Sequence, residues 1–572
     1  MRKFLFVILI FLLTLQSSFA QKCPEWLGNA VMYQIYPSTY KDSDGDGIGD
    51  LSGIISKLDY IESLGVNAIW LNPVYESGWF DGGYDVIDFY KVDPRFGTND
   101  DLVRLVTEAH KRGIKVCLDL VAGHTSDKCE WFKRSMSEGR EDKYADYYIW
   151  TDTISANEHK LLDIRMSSSD PNVDKHGHFV EVNSTRGKYY RKNYYMCQPA
   201  LNYGYAHPDP SQPWEQSVNA PGPQAVRREL RNIMRFWFTK GVDGFRVDMA
   251  SSLVKNDPGK VETMKLWKEM RTWIDKEFPQ CIIISEWGDP QKAISAGFDV
   301  DLMLRGGVNV IAPLMYNGDT PWGEYDNIKH GYFEKDGMGS IKGCMTRYSA
   351  AYDSTRNIGY MGFATANHDY QRLNIGDRNT PDQLKVALTF FMTMPGLPII
   401  YYGDEIGLKY KYGLPNKEGS RTDRAGTRTP MQWDNDENAG FSSCDPKAIY
   451  LPVDTDGGKI TVASEDKDPE SVLNYVRKLV SLRKSSSALG NKGSWEMVGS
   501  LDKPYPMIYK RTSGNESYIV ALNPSGKTVS AVIPVNSEMA TLYGTGKVRV
   551  KDGKSGNKIT MGPVSAVILK VE

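Results

Sequence analysis

The stretch Gly241–Asp248, Gly-Val-Asp-Gly-Phe-Arg-Val-Asp, constrains the fold more than any other part of the chain. Read as a strand, its alternation puts Arg246 and Asp248 on one face and Phe245 and Val247 on the other, so a charged pair shares one side of a buried element. Buried charge needs a reason. A guanidinium beside a carboxylate favours the ionised form, which makes Asp248 either a nucleophile or half of a structural ion pair. Two further stretches favour chemistry. Cys281–Trp287 is a β-branched apolar run of the kind that fills a fully buried parallel strand, and it runs into Glu286. Gly359–Asp369 is another strand-like run, which delivers His368 and Asp369 at its end. Three strands thus end in three carboxylates.

Around these stretches β and α patterns alternate. Ala30–Pro37 reads as a strand, Ile54–Leu64 as a helix, Asn67–Asn72 as a strand, Asp100–Arg112 as a helix and Ile114–Val121 as a strand. Alternation at this spacing means a parallel sheet, and continued to about Leu482 it supplies enough units for a (β/α)8 TIM barrel, whose working residues emerge at the C-terminal ends of strands. After His124 about eighty polar, tyrosine-rich residues break the alternation, too many for an ordinary connection, so an inserted subdomain is expected. Beyond a closing helix at Ser471–Leu482, short alternating strands such as Ser517–Leu522 and Ala531–Pro534 suggest a C-terminal antiparallel β-sandwich. The expected division is 1–20 signal peptide, 21–124 first part of the barrel, 125–202 insert, 203–485 second part of the barrel and 486–572 C-terminal β domain.

The first twenty residues carry Arg2 and Lys3, an apolar run Phe4–Leu15 and a small-x-small end at Ser18-Phe19-Ala20, the pattern of a secretory signal peptide. An exported protein without a membrane span after cleavage is expected, because the later apolar run Val386–Tyr402 is broken by Pro395 and Pro398. A formal net charge of −2 leaves no basic footprint for nucleic acid. The seven cysteines lack C-x-x-C spacing, which argues against a zinc site or a dense disulfide scaffold. Aromatic residues are 11% of the chain, which suits a pocket that stacks on sugar rings as well as it suits ordinary cores.

The runs G-V-D-G-F-R-V-D, I-I-S-E-W and A-N-H-D, with Asp119-Leu120-Val121-Ala122-Gly123-His124 and Gly396–Glu405, resemble in order and spacing the five strand signatures of glycoside hydrolase family 13, the α-amylase family. Gln198-Pro199-Ala200-Leu201-Asn202 and Arg424-Ala425-Gly426-Thr427-Arg428-Thr429-Pro430-Met431-Gln432-Trp433 resemble stretches of its α-glucosidase and oligo-1,6-glucosidase branch, with Ala200 and Ala425 standing where that branch has acids. The resemblance implies Asp248 as nucleophile, Glu286 as acid then base, and Asp369 as transition-state stabiliser. It further implies a substrate pocket built from Asp81, Tyr84, His124, Tyr194, Gln198, Arg246, His368, Arg424 and Arg428, with Tyr84 stacking under the terminal glucose. The expected activity is that of an exo-acting, retaining α-glucosidase on short α-glucans or disaccharides, the protein being a monomer. Within the family the alternatives are an endo-α-amylase or a trehalose synthase-type isomerase. A non-catalytic binding relative would have lost acids that are all present here. The residue after Asp248 is Met249, which matches neither the Val of α-1,6 enzymes nor the Ala or Thr of α-1,4 enzymes.

Asp42-Ser43-Asp44-Gly45-Asp46-Gly47-Ile48-Gly49-Asp50 places alternate carboxylates around glycines, a set of oxygen ligands that suits Ca²⁺ or Mg²⁺. Gly53 stands where an EF-hand needs its bidentate glutamate. The loop resembles the structural calcium loop of the same branch, which implies Asp42, Asp44, Asp46, the Ile48 carbonyl and Asp50 as ligands. Gly123, where many relatives carry Asn, argues against the calcium site of true α-amylases.

Overall fold

The computed structural model describes residues 23–154, 178–303, 311–315, 330–415, 417–418, 424–454, 460–535, 537–553 and 556–572; the signal-peptide reading lies outside them. Eight parallel strands close a barrel: β1 (Met32–Ile35), β2 (Ala68–Leu71), β3 (Lys115–Leu120), β4 (Gly244–Val247), β5 (Ile282–Ser285), β6 (Val300–Leu302), β7 (Tyr360–Ala364) and β8 (Leu397–Tyr401), each paired with its neighbours in sequence and β8 with β1. Strand alternation sorts the side chains. Met32, Trp70, Cys117, Ile284, Val300 and Leu397 fill the barrel interior, while Tyr33, Ile69, Val116, Phe245, Ile283 and Phe363 belong to the layer under the helices.

The helices form for local reasons that the chain spells out. Asn99–Lys111 is opened by a reciprocal Thr98–Asp101 capping box and buries Leu102, Leu105, Val106 and Ala109, which fall on one face at helical spacing. Truncating Leu105, which is fully buried, to Ala would cost about 2–5 kcal/mol. The expected helix at Ile54–Leu64 is instead two short ones, Leu51–Ser56 and Leu58–Ser63, divided at Lys57. The expected strand 359–369 ends at Ala364, so His368 and Asp369 stand on the loop beyond β7.

The chain leaves the barrel after β3 and returns beside its point of departure: Leu201 donates to the Gly123 carbonyl at 3.0 Å and Thr125 to that of Pro199 at 3.3 Å. The excursion holds a three-stranded sheet of Trp150–Thr151, Tyr189–Arg191 and Phe179–Glu181. C-terminal to the barrel, a five-stranded and a three-stranded antiparallel sheet share a core in which Ile508, Ile519 and Leu569 meet Ile533, Ile559 and Met561. All seven cysteines are free. Among the described residues no helix is long and apolar enough to cross a membrane.

Candidate active site

Arg246, inward on β4 and 0% exposed, is the centre of the site. Its Nη1 lies 2.8 Å from Asp119 Oδ1 and 3.1 Å from Asp248 Oδ1, and its Nη2 lies 2.7 Å from Glu286 Oε2. One guanidinium thus holds the ends of β4 and β5 side by side. Its cation also sits over the ring of Trp70 at 5.3 Å. Met249, in the left-handed region at φ 44°, turns its N–H to Glu286 Oε2 at 3.1 Å. Such a backbone costs about 1–3 kcal/mol in a non-glycine residue and is typical of functional turns.

The structure adds two acids to the charge argument made from sequence. Arg246 favours ionised Asp248, but its single charge is shared among three carboxylates. Burial, with Glu286 and Asp119 as negative neighbours, outweighs it and pushes Asp248 well above the usual carboxylate range. Asp119 is likewise pushed up by burial against the pull of Arg246.

Asp369 behaves oppositely. Burial opposes its ionisation, but Arg424, His368 and Arg428 together hold it well below the usual range. Arg424 Nε and Arg428 Nη2 lie 3.2 and 3.5 Å from Oδ1, and His368 Nε2 lies 3.2 Å from Oδ2. Arg424 also reaches Asp81 Oδ1 at 3.0 Å, and Gln198 donates to Asp81 Oδ2 at 2.9 Å. The stretch after β8 and the end of the excursion thereby converge on one acid from the β2–β3 connection.

Burial disfavours the imidazolium at both His368 and His124, lowering each from the usual imidazole value and His124 to about 4. At His368, Gln34 and Asn72 direct amide nitrogens at Nδ1 from 3.2 and 2.9 Å, which leaves the proton on Nε2, facing Asp369. At His124, Asn193 donates to Nδ1 at 3.0 Å and Nε2 donates to the Tyr84 carbonyl at 2.9 Å. Tyr84 stacks on His368 at 5.2 Å and 11°, and its hydroxyl donates to Asp119 Oδ2 at 2.9 Å. Half-buried Tyr194 meets Tyr195 edge-on at 4.6 Å, and Tyr195 meets Phe80 at 5.4 Å.

The structure therefore brings together the residues expected in the pocket, with Tyr194 set in the aromatic wall beside Tyr195 and close enough to Arg424 to act on its charge. Sequence reasoning missed Asp119, Asn72, Gln34 and Asn193. Asp119 had a signal, as a lone acid inside the apolar run Val116–Val121. Asn193 had a subtler one in Gly123, since a Cβ there would lie 2.7 Å from Asn193 Nδ2, so the missing side chain makes room for an amide from the excursion.

The acidic loop follows β1, apart from this cluster. Asp42, Asp44 and Asp50 each offer an oxygen, all within 4.8 Å of one another. Asp46 is exposed, with Oδ1 accepting from the Ile48 N–H at 2.8 Å. Burial opposes ionisation of Asp42, but Ser442 and the N–H groups of Gly45 and Gly47 hold its carboxyl below the usual range. Gly47 has φ 93°, and a Cβ there would strike the Ala448 carbonyl at 2.4 Å.

An arginine bridging two strand-end acids at the C-terminal rim of a parallel barrel is a two-carboxylate arrangement suited to glycoside hydrolysis. Residues 34–492 match the model of the alpha amylase catalytic domain, and the chain belongs to that family. It is 32% identical over 553 residues to an oligo-1,6-glucosidase of Parageobacillus thermoglucosidasius, covering 88% of this chain and 91% of the relative. It is 31% identical to a trehalose synthase/amylase of Mycolicibacterium smegmatis, covering 90% and 84%, and 29% identical to an alpha-glucosidase of Culex pipiens, covering 96% and 91%. Among solved structures, an isomaltulose synthase from Erwinia rhapontici in complex with sucrose superposes with a TM-score of 0.77 at 25% identity, over 96% of this chain and all of the other.

Proposed function

We propose that this glycoside hydrolase is an exo-acting, retaining α-glucosidase that releases terminal α-linked glucose from short α-glucans or disaccharides. The observation that carries the reading is the grip of Arg246 on both Asp248 and Glu286. Retention needs one ionised and one protonated carboxyl close together, and a single cation between two acids favours that state. With the proton on Glu286, Asp248 is ionised against Arg246 and attacks the anomeric carbon while Glu286 protonates the leaving oxygen. Glu286 then takes a proton from the water that releases glucose. Asp369, kept ionised by two arginines, faces the positive charge that develops on the sugar ring.

Exo action is supported by the Asp81–Arg424–Asp369 bridge, which ties three separate segments together beside the acids. Gln198 and Arg428 brace that bridge, His124 holds the Tyr84 backbone, and Tyr84, His368 and Tyr194 supply aromatic surface. The named activities of the oligo-1,6-glucosidase and alpha-glucosidase relatives agree with this reading. Calcium in the Asp42–Asp50 loop, as a structural ion, is part of the proposal; the closely spaced oxygens of Asp42, Asp44 and Asp50 are a donor set for a hard cation. Export is proposed from the first twenty residues alone.

The test is glucose release by the purified protein from maltose, isomaltose, sucrose and trehalose. Release from at least one, with no oligosaccharide ladder from soluble starch, supports the reading. The trehalose synthase/amylase relative motivates a second one, which trehalose accumulation from maltose without net glucose would favour.

A further inference from the structure

Glu286 follows β5 directly, so the direction of its carboxyl depends on the turn Ser285–Gly288. That turn is bracketed by a side chain from the neighbouring strand. Asp301, on β6 and 0% exposed, accepts at a single oxygen, Oδ1, from Ser285 Oγ at 2.7 Å, from the Trp287 N–H at 3.1 Å and from the Gly288 N–H at 3.2 Å. The three donors flank Glu286 in the chain, one before it and two after. Gly288 has φ 73°, the left-handed geometry that lets two successive N–H groups converge on one acceptor. Asp301 Oδ2 is buried and has no hydrogen-bond partner, so the carboxyl is retained at a cost and for the donors on its other oxygen. Burial, against those three donors, pushes its pKa up to about 7. A carboxylate that served only to fill the barrel wall would be better replaced by an apolar residue.

We infer that Asp301 is a positioning residue for the general acid: one carboxyl oxygen clamps the backbone on both sides of Glu286 and thereby aims the Glu286 carboxyl at the leaving-group oxygen. The inference rests on Glu286 being the acid, and the test separates the two claims. A mis-aimed acid penalises substrates in proportion to their need for protonation, whereas a generally weakened fold penalises all alike. The experiment compares kcat/KM of the wild type, Asp301→Asn, Ser285→Ala and Glu286→Gln on aryl α-glucosides running from dinitrophenyl to methoxyphenyl. Asp301→Asn is expected to stay within about twofold of wild type on the dinitrophenyl glucoside and to lose about tenfold or more on the methoxyphenyl one, a fraction of the roughly 100- to 10,000-fold that a positioned acid supplies. Ser285→Ala removes the shortest clamp bond without touching the carboxyl and should steepen the same slope by less; it carries the test if Asp301→Asn does not fold. Parallel losses on every substrate, or no loss, would overturn the positioning role. If Glu286→Gln itself gave no leaving-group dependence, the assignment of the acid would fail instead.

Discussion

Glu405, at the barrel's outer wall beyond β8, has no part in the chemistry and offers a clean electrostatic test of the structure. Its side chain is 0% exposed, Oε1 accepts from Tyr33 at 2.7 Å and Tyr60 at 2.8 Å, and Oε2 has no hydrogen-bond partner. Burial outweighs the two phenols and pushes the carboxyl from its ordinary 4.5 up to about 7. Because the folded pKa is the higher one, the folded state binds more protons between these values. The stability that neutral Glu405 contributes is therefore full below about 4.5 and is lost as pH rises to about 7. A shift of this size is worth about 3 kcal/mol at 1.36 kcal/mol per unit. Glu405→Gln keeps the shape and cannot ionise. For a chain of this length, melting entropy near 2.1 cal/mol/K per residue turns 3 kcal/mol into about 2–3 °C if the molecule unfolds cooperatively. Scanning calorimetry should give melting temperatures within about a degree of each other at pH 4.5, and a variant about 2–3 °C above wild type at pH 8. A constant difference between the two proteins across that range would refute the buried, unpaired carboxyl.

The remaining predictions concern the site and the metal loop. Asp248→Asn and Glu286→Gln should each lower turnover of unactivated substrates by at least about 100-fold with circular dichroism unchanged, and near wild-type turnover in either would remove that residue from the chemistry. Chelation should lower the melting temperature while leaving the initial turnover of still-folded enzyme nearly unchanged. An ion bound at a hundredfold excess over its dissociation constant contributes about 2.7 kcal/mol, and immediate loss of activity in the cold would place the metal at the reacting centre instead.

The barrel was legible because its strands are short apolar runs at regular spacing, and because β4 and β5 each run into an acid at the same rim. β6 was not, since Val300–Leu302 is three residues long with an acid at its centre and so carries no apolar signature. That acid is Asp301, whose value lies in a register with Ser285 that only strand pairing reveals. The same holds for the charge state of Asp248. Sequence shows one arginine two residues away; the fold adds Asp119 from β3 and Glu286 from the end of β5 to the same cation, so its charge is shared among three acids. Asn193 was hidden for another reason, because it reaches His124 from an excursion with no regular pattern of its own.

The central claim, that Asp248 attacks the sugar and forms a covalent intermediate, is tested most directly by trapping. Incubation with a fluorinated α-glucosyl fluoride, whose ring fluorine slows release, followed by proteolysis and mass spectrometry, should place the sugar on Asp248, and proton NMR of a turnover reaction should show α-glucose first. A label on Glu286 or Asp369, or β-glucose as the first product, would contradict the account.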